Sequence, residues 1–498
     1  MSQSSRLSHP LWSLWWRPSF LFLGRRPGSA VAFVLKPRAW STVPMPQVPT
    51  DLPPTSRLQA TFADEDPGTL GEVAWVKRFV ERWLADDRLR AAYLAHPDEI
   101  AGEHRVPREL AGCLHANIPL SASGNAVLRA YGRYLERRMD HRAGMRRECA
   151  PVLAPFRAWR ERQMSRCQDQ LPDRYDEAIL HLPVAFELSE GCSVGCWFCG
   201  LSAARLESVF SASSSNRKLW RETLEVVREV AGPAAGQGIA FWATDPLDNP
   251  DYEIFCQDFH QILGRFPATT TALGPKDLDR TEKLLQLSWA KGCDFNRFSV
   301  LSLAQMDALT AHFSPESLLY VDLIAQTRGA LQPKAQAGKA MEKGRNAPAL
   351  VSSEPSTIAC VSGFLINMPN RSVRLVSPCA AGPRWPMGYR VHASSSFTNA
   401  KELRDEIARM MADVMKTAPP RDRPVRLRPD LTDTDRLADF SLSELAVSRL
   451  NQGCVTGAEL ALELESEGVP MAQTFHALNG LFDQGFLDDE PEGHERHA

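Results

Sequence analysis

The stretch Phe186-Glu-Leu-Ser-Glu-Gly-Cys192-Ser-Val-Gly-Cys196-Trp-Phe-Cys199-Gly200 decides how the chain is read. The apolar run Leu182–Leu188 predicts a buried strand, and the glycines after it predict a tight loop. That loop carries cysteines spaced C-x3-C-x2-C, with no fourth cysteine or histidine close by. Three thiolates on one loop can hold three irons of a [4Fe–4S] cluster, where a self-contained site would supply four. The fourth iron would stay open to an outside ligand, and an open metal position marks a catalytic centre. A zinc knuckle would use similar spacing but needs a fourth protein ligand.

The surrounding chain, at 498 residues and 44% apolar, has room for two or three domains with real cores. A net charge of -3 gives no global case for nucleic acid or an anionic membrane. Eleven scattered cysteines argue against a secreted disulfide framework and for a reducing, cytoplasmic setting. The first 44 residues hold six basic residues, no acidic ones and four tryptophans. Arg17 and Pro18 interrupt the one apolar run there, which excludes a signal peptide or membrane span. Met45 as the true start and an organellar transit peptide both remain open.

Residues 1–69 read as a basic, Pro-rich extension and linker, and 70–177 as a helical region. Glu72–Leu94 carries Val73, Val76, Phe79, Val80, Trp83 and Leu84 on one helix face. The Arg-rich helical patterns Leu128–Arg146 and Pro155–Gln168 read as solvated faces, or as a basic surface for an acidic peptide or redox partner. From about Ala178 short strands and helices alternate, the pattern of a parallel sheet. The strands are Leu182–Leu188, Gly238–Thr244, Ala268–Leu273, Phe295–Leu301 and Leu318–Ile324, with helices such as Lys218–Val230, Tyr252–Leu263 and Leu278–Ala290 between them. Right-handed βα units in series curl toward a barrel, with reactive groups at the carboxyl ends of the strands. This unit runs over 178–415, with a mobile insertion at 329–356 and a closing hairpin at 357–379. The tail, 430–490, has three helical patterns, a capping box at Thr456 and Glu459, and Pro470 opening the last helix. It reads as a winged-helix-like module or a small helical cap.

An open-site three-cysteine loop after the first strand resembles the radical S-adenosylmethionine (SAM) superfamily. The resemblance implies a partial (β/α)6 TIM-like barrel, a [4Fe–4S] cluster on Cys192, Cys196 and Cys199, and SAM chelating the free iron. The aromatic Phe198 before the last cysteine agrees with it, and falls to the cofactor site. Where the superfamily has a Gly-Gly-Glu-Pro-like turn, this chain has Ala243-Thr244-Asp245-Pro246. Thr244 and Asp245 can still meet the SAM ammonium; the plain alternative is an Asp-Pro turn. Arg297 and Ser299 alternate onto one face of their strand, where they can pair with the SAM carboxylate and ribose. The alternative is an arginine facing a helix. Thr269 and Thr271 are weaker candidates of the same kind.

His181 to Gly200, Trp242-Ala-Thr-Asp-Pro-Leu-Asp-Asn-Pro-Asp-Tyr-Glu and Ser377-Pro-Cys-Ala-Ala-Gly-Pro-Arg-Trp-Pro-Met-Gly-Tyr resemble the radical SAM peptide epimerases of polytheonamide (proteusin) type. The resemblance covers about Gly71 to Arg390. It implies conversion of L- to D-residues in a ribosomally made precursor peptide. A deoxyadenosyl radical would remove a Cα hydrogen, and a thiol would return one from the opposite face. The donor maps onto Cys379, with Cys360 the fallback; simple burial is the alternative for each. The implied partners are that peptide, leader plus core, and a reductant such as flavodoxin or ferredoxin, without nucleic acid or membrane. Two other readings stand beside it. One is a radical SAM enzyme with another outcome, such as C-methylation, thioether formation or backbone cleavage. The other is a winged-helix binding protein with a structural metal.

Overall fold

Asp86 splits the long helix expected over Glu72–Leu94. In the computed structural model α1 spans Pro67–Ala85 and α2 spans Asp87–Ala95. The Asp86 N–H closes α1 on the carbonyl of Arg82, while its carboxylate accepts from the N–H groups of Arg88 and Leu89. One short acid thus serves as C-cap and N-cap together. The structure describes residues 57–487, apart from 117, 294, 345–349, 422, 430, 432–436, 438–439 and 441. Most of the expected basic extension, 1–69, lies outside the described residues, as do parts of the expected 430–490 module.

α3 (Ala126–Glu148) and α4 (Ala154–Gln170) follow. Their arginines divide: Arg129, Arg133, Arg147 and Arg157 are exposed, as the solvated-face reading expects, and others are not. Arg138, Arg160, Arg162 and Arg166 are buried, because other elements roof these helices and protein acceptors replace water: Asp322 and the Tyr134 hydroxyl for Arg138, backbone carbonyls for the rest. Arg160 donates to the carbonyls of His181, Leu180 and Arg146, and Arg166 to that of Leu487.

β1 (Leu182–Glu187) is buried along its whole length, as a strand covered on both faces should be. Val184 and Phe186 face a helical layer, where Phe186 meets Trp220 edge-on at 4.8 Å between ring centroids. Ala185 faces a second core built largely from α1 and α3. Then come α5 (Ser214–Ala231), α6 (Tyr252–Leu263), β2 (Thr269–Thr271), α7 (Leu278–Ala290), β3 (Asn296–Val300), α8 (Leu303–His312) and β4 (Val321–Ala325). β2, β3 and β4 form a parallel sheet in that order. The strand expected over Gly238–Thr244 is reduced to one bridge, Ile239 beside Ala185. A 3-10 turn over Gly232–Gln237 runs straight into it. Among the described residues, the parallel strands therefore lie in two sheets rather than one continuous curl.

A short helix, α9 (Gly338–Lys343), precedes β5 (Val361–Asn367), which lies parallel to β1. β6 (Ser372–Pro378) returns antiparallel, as the hairpin pattern predicts. β7 (Tyr389–Ser396) adds a strand the sequence reading left unassigned, followed by α10 (Ala400–Val414). The result is a mixed α/β protein. Among the described residues, no helix is long and apolar enough to cross a membrane.

β4 is an edge strand, and α1 covers it. Lys77 Nζ donates to the carbonyl of Val321 at 2.7 Å, and Glu81 Oε1 accepts the Leu323 N–H at 2.9 Å. Two side chains one helical turn apart supply the hydrogen bonds a further strand would have made. Near the C-terminus α11 (Glu444–Gln452), α12 (Gly457–Ser466) and α13 (Met471–Asp483) share their own core. The Thr456–Glu459 capping box is present, and Leu427 bridges Leu487 antiparallel. This unit docks on α4 through Arg166, an Arg428–Asp169 ion pair, and Arg162 stacked 4.3 Å from the Phe482 ring centre.

Candidate metal centre

The three-cysteine loop is pinned at its base. Ser189–Glu190 pairs antiparallel with Ser208–Val209, and the Cys192 N–H donates to the carbonyl of Ala204 at 3.0 Å. Gly191 makes this closure: it sits at φ +77°, and a Cβ there would stand 2.0 Å from the Arg205 carbonyl oxygen. No other residue fits. Further on, the Ser193 N–H donates to Asp248 at 2.9 Å, tying the loop to the turn after Asp245.

Cys192, Cys196 and Cys199 are all half-buried. Burial pushes the Cys196 thiol up to about 11, and the charges of Cys192, Cys199 and Asp245 push the same way. Cys196 is thus within electrostatic reach of both other thiols. Among the described residues, no three His, Cys, Asp or Glu side chains converge where a single ion could be held. A lone zinc needs all its ligands within about 2.0–2.3 Å of one point. A site for one ion is therefore not preformed among the described residues, whereas a [4Fe–4S] cluster spaces its thiolates further apart.

Residues of the 329–356 segment lie over this loop. The Lys339 N–H donates to the Cys199 carbonyl at 2.9 Å, and the Gly338 N–H to that of Pro386 at 2.7 Å. Gly338 sits at φ +52°, and a Cβ on it would stand 2.5 Å from the Gly200 carbonyl oxygen. The segment stitches the cysteine loop to the turn between β6 and β7.

Asp245 is buried, and its carboxylate is engaged by the protein. It accepts from Thr271 Oγ1 at 2.7 Å, the Ala272 N–H at 2.6 Å and the Leu247 N–H at 3.1 Å. Burial nevertheless raises its carboxyl above the usual range. Thr244 beside it is half-buried. Thr269 shares a hydrogen bond with the Tyr252 hydroxyl at 3.0 Å. Arg297 and Ser299 lie on one face of β3, with Asn296, Phe298 and Val300 buried on the other.

Cys360 is half-buried at the start of β5. Burial raises its thiol to about 11 against the pull of Arg297 and Arg142, so it shares a region with Arg297. Cys379 is buried at the end of β6, its N–H donating to the carbonyl of Gly388 at 3.0 Å. Its charge acts on Cys167 of α4, whose thiol donates to the Pro378 carbonyl at 3.0 Å. By register both cysteines lie at the end of the sheet where β1 starts, Cys360 on the neighbouring strand and Cys379 one strand further on. The cysteine loop leaves from the other end of β1 but turns back, so that Gly200 stands against the Ile358 side chain.

One group escaped the sequence reading. Glu187 is a buried carboxylate accepting from the Ala243 N–H at 3.1 Å and from Asn367 Nδ2 at 3.0 Å, with Arg374 3.9 Å away. Burial pushes its carboxyl up, and Arg374 opposes this. The signal was an acid inside an otherwise apolar strand.

No known family model matches the sequence. The chain is 36% identical over 468 residues to the uncharacterized protein y4wI of Sinorhizobium fredii, covering 86% of this chain and 90% of that one. It belongs to the same family as that protein. A crystal structure of BtrN in complex with AdoMet and 2-DOIA is similar over 39% of this chain and 71% of its own. The identity is 15% and the TM-score 0.28, too slight an overlap to establish a shared fold.

Proposed function

We propose that this protein is a radical SAM enzyme built on a partial TIM-like barrel, and that it epimerises residues of a ribosomally made peptide. The observation that carries the first part is the C-x3-C-x2-C loop, closed at Gly191, in which Cys196 lies within electrostatic reach of Cys192 and Cys199. Cys192, Cys196 and Cys199 would hold three irons of a [4Fe–4S] cluster. When bound, the reduced cluster and SAM supply a deoxyadenosyl radical able to remove a hydrogen atom from a C–H bond.

Around that group the chain's own residues orient and exclude water. The half-buried Thr244 hydroxyl and the backbone of the Ala243–Asp245 turn are available to the SAM ammonium, while Asp245 holds the turn against β2. Arg297 supports a carboxylate partner from β3. For epimerisation a thiol must give its S–H hydrogen to the Cα radical; it becomes a thiyl, which one electron and one proton restore. Two thiols are candidates, Cys379 and Cys360; the half-burial of Cys360, against the full burial of Cys379, supports Cys360. The C-terminal unit on α4 is proposed to take the peptide leader, and a flavodoxin or ferredoxin to supply the electrons.

The first part is tested by anaerobic purification with iron and sulfide analysis, then incubation with SAM and dithionite. Deoxyadenosine and methionine should form; a chain free of iron and sulfide defeats the proposal. The second part is tested with a candidate precursor peptide in deuterated water. Epimerisation adds one mass unit per inverted residue, whereas methylation, thioether formation or cleavage changes the mass in ordinary water. Cys360→Ala should still form deoxyadenosine but leave the peptide unlabelled.

A further inference from the structure

Lys334 is a lysine in an unusual place. It is only 7% exposed, yet it belongs to a segment between secondary-structure elements. Its backbone is fixed on both sides: its N–H donates to the Leu350 carbonyl, and its own carbonyl accepts from the Ser352 N–H, each at 2.8 Å. Its ammonium reaches the neutral Gln326 Oε1 at 2.6 Å and lies 4.9 Å from the centre of the Phe198 ring. Phe198 immediately precedes Cys199. No carboxylate acts on this ammonium among the described residues; the charged group it feels is Cys196.

A buried cation without a counter-ion is costly and persists where something anionic is its neighbour. A ring face contributes part of that compensation. Among the described residues the rest would come from the cysteine loop beside Phe198, whose sulfurs become anionic when they ligate a cluster. Iron–sulfur potentials are set by net charge, hydrogen bonding and solvent exposure around the cluster. Adding an electron adds one negative charge, which a fixed ammonium nearby stabilises.

We propose that Lys334 is a positioning and tuning residue for the cysteine-loop cluster: seated on Phe198, it supplies the fixed positive charge that favours the reduced state. This rests on the cluster assignment above. It also gives the 329–356 segment a task, that of carrying a charge to the loop.

The test is a redox titration of the anaerobically reconstituted full chain without SAM, following the reduced cluster by electron paramagnetic resonance. Lys334→Met keeps the stem and loses the charge, so its midpoint potential should fall below that of the unaltered protein. Lys334→Arg should stay near it, and Lys334→Gln should follow Lys334→Met. An unshifted potential in both neutral variants at full iron content overturns the inference. Loss of iron from the neutral variants alone, with Lys334→Arg loaded, supports the need for charge; loss from all three overturns it. If the unaltered protein holds no cluster, the cluster assignment fails first, and the two failures are distinguishable.

Discussion

Replacing Glu81 by leucine tests why α1 belongs to this fold. Glu81 Oε1 accepts from Lys77 Nζ at 2.7 Å and from the Leu323 N–H at 2.9 Å, and both side chains are almost wholly buried. Burial pulls the Lys77 ammonium down and the Glu81 carboxyl up, while each partner's charge opposes the shift in the other. Glu81→Leu strands a buried ammonium, at about 3–5 kcal/mol. It also orphans the Leu323 N–H, at ~1–3 kcal/mol more. Were the pair only an ion pair, Lys77→Met with Glu81→Leu would restore stability, because apolar replacements of buried pairs are often neutral or better. Edge-capping predicts otherwise. The double variant still leaves the Leu323 N–H and the Val321 carbonyl unpaired, each worth ~1–3 kcal/mol. Glu81→Gln, which keeps an acceptor, should be milder than Glu81→Leu. The C-terminal unit has its own core, so a single global transition is not assumed; amide exchange at Leu323 reads the effect locally, beside urea unfolding. A double variant as stable as the original, with Leu323 still protected, would refute the reasoning.

Single Cys192→Ala, Cys196→Ala and Cys199→Ala variants should each lose most cluster absorbance and iron while keeping the helical circular dichroism; retention of full iron in any one removes that residue as a ligand. Gly191→Ala should be more damaging than Gly195→Ala, because its Cβ would meet the Arg205 carbonyl at 2.0 Å whereas that of Gly195 meets nothing; equal melting temperatures would contradict this. His181 predicts acid sensitivity. Its ring is fully buried with Nδ1 2.8 Å from Ser362 Oγ, and burial together with Arg146 and Arg160 holds its pKa well below the usual value. The unfolded chain therefore takes up the proton first, so stability from His181 is present above about pH 6.5 and drains away as the pH falls below it. Glu187 and Asp245, raised by burial, push the other way but are common to a comparison with His181→Asn, a residue that tolerates the φ of +53° here. The stability gap between the two proteins should shrink from pH 7.5 to pH 5; a constant gap refutes the assignment.

Several elements were legible because one local signal dominated. Tyr252–Leu263 and Leu278–Ala290 match their apolar periodicity end to end, each with a glycine or aspartate marking a terminus. The tight loop after β1 was legible because its glycines follow a continuous apolar run. What was not legible depends on partners distant in sequence. Arg160 and Arg166 look like solvated residues until the carbonyls of Leu180, His181 and Leu487 are folded onto them. Asp86 ends one helix and starts another by hydrogen bonds a hydrophobic pattern does not register. Ile239 has strand-like neighbours but pairs only beside Ala185.

The same limit bears on the site. A carboxylate at the end of a strand reads as a ligand-facing group, because nothing in the sequence says that Thr271 and the Ala272 N–H will occupy it. With Asp245 spent on holding the turn, the groups our proposal leaves for SAM are the half-buried Thr244 hydroxyl, 3.4 Å from the Asp245 carbonyl, and the turn's carbonyls. Glu187, taking the Ala243 N–H, fixes the same turn from the β1 side. Two buried carboxylates on opposite sides of Ala243–Asp245 thus make a rigid support rather than a first contact. A support of that kind is what a backbone-recognition site needs, since backbone groups can be aimed only by fixing the chain that bears them. The departure from a Gly-Gly-Glu-Pro turn then agrees with the proposed SAM site: the acid holds the peptide bonds that would meet the ligand instead of meeting it itself.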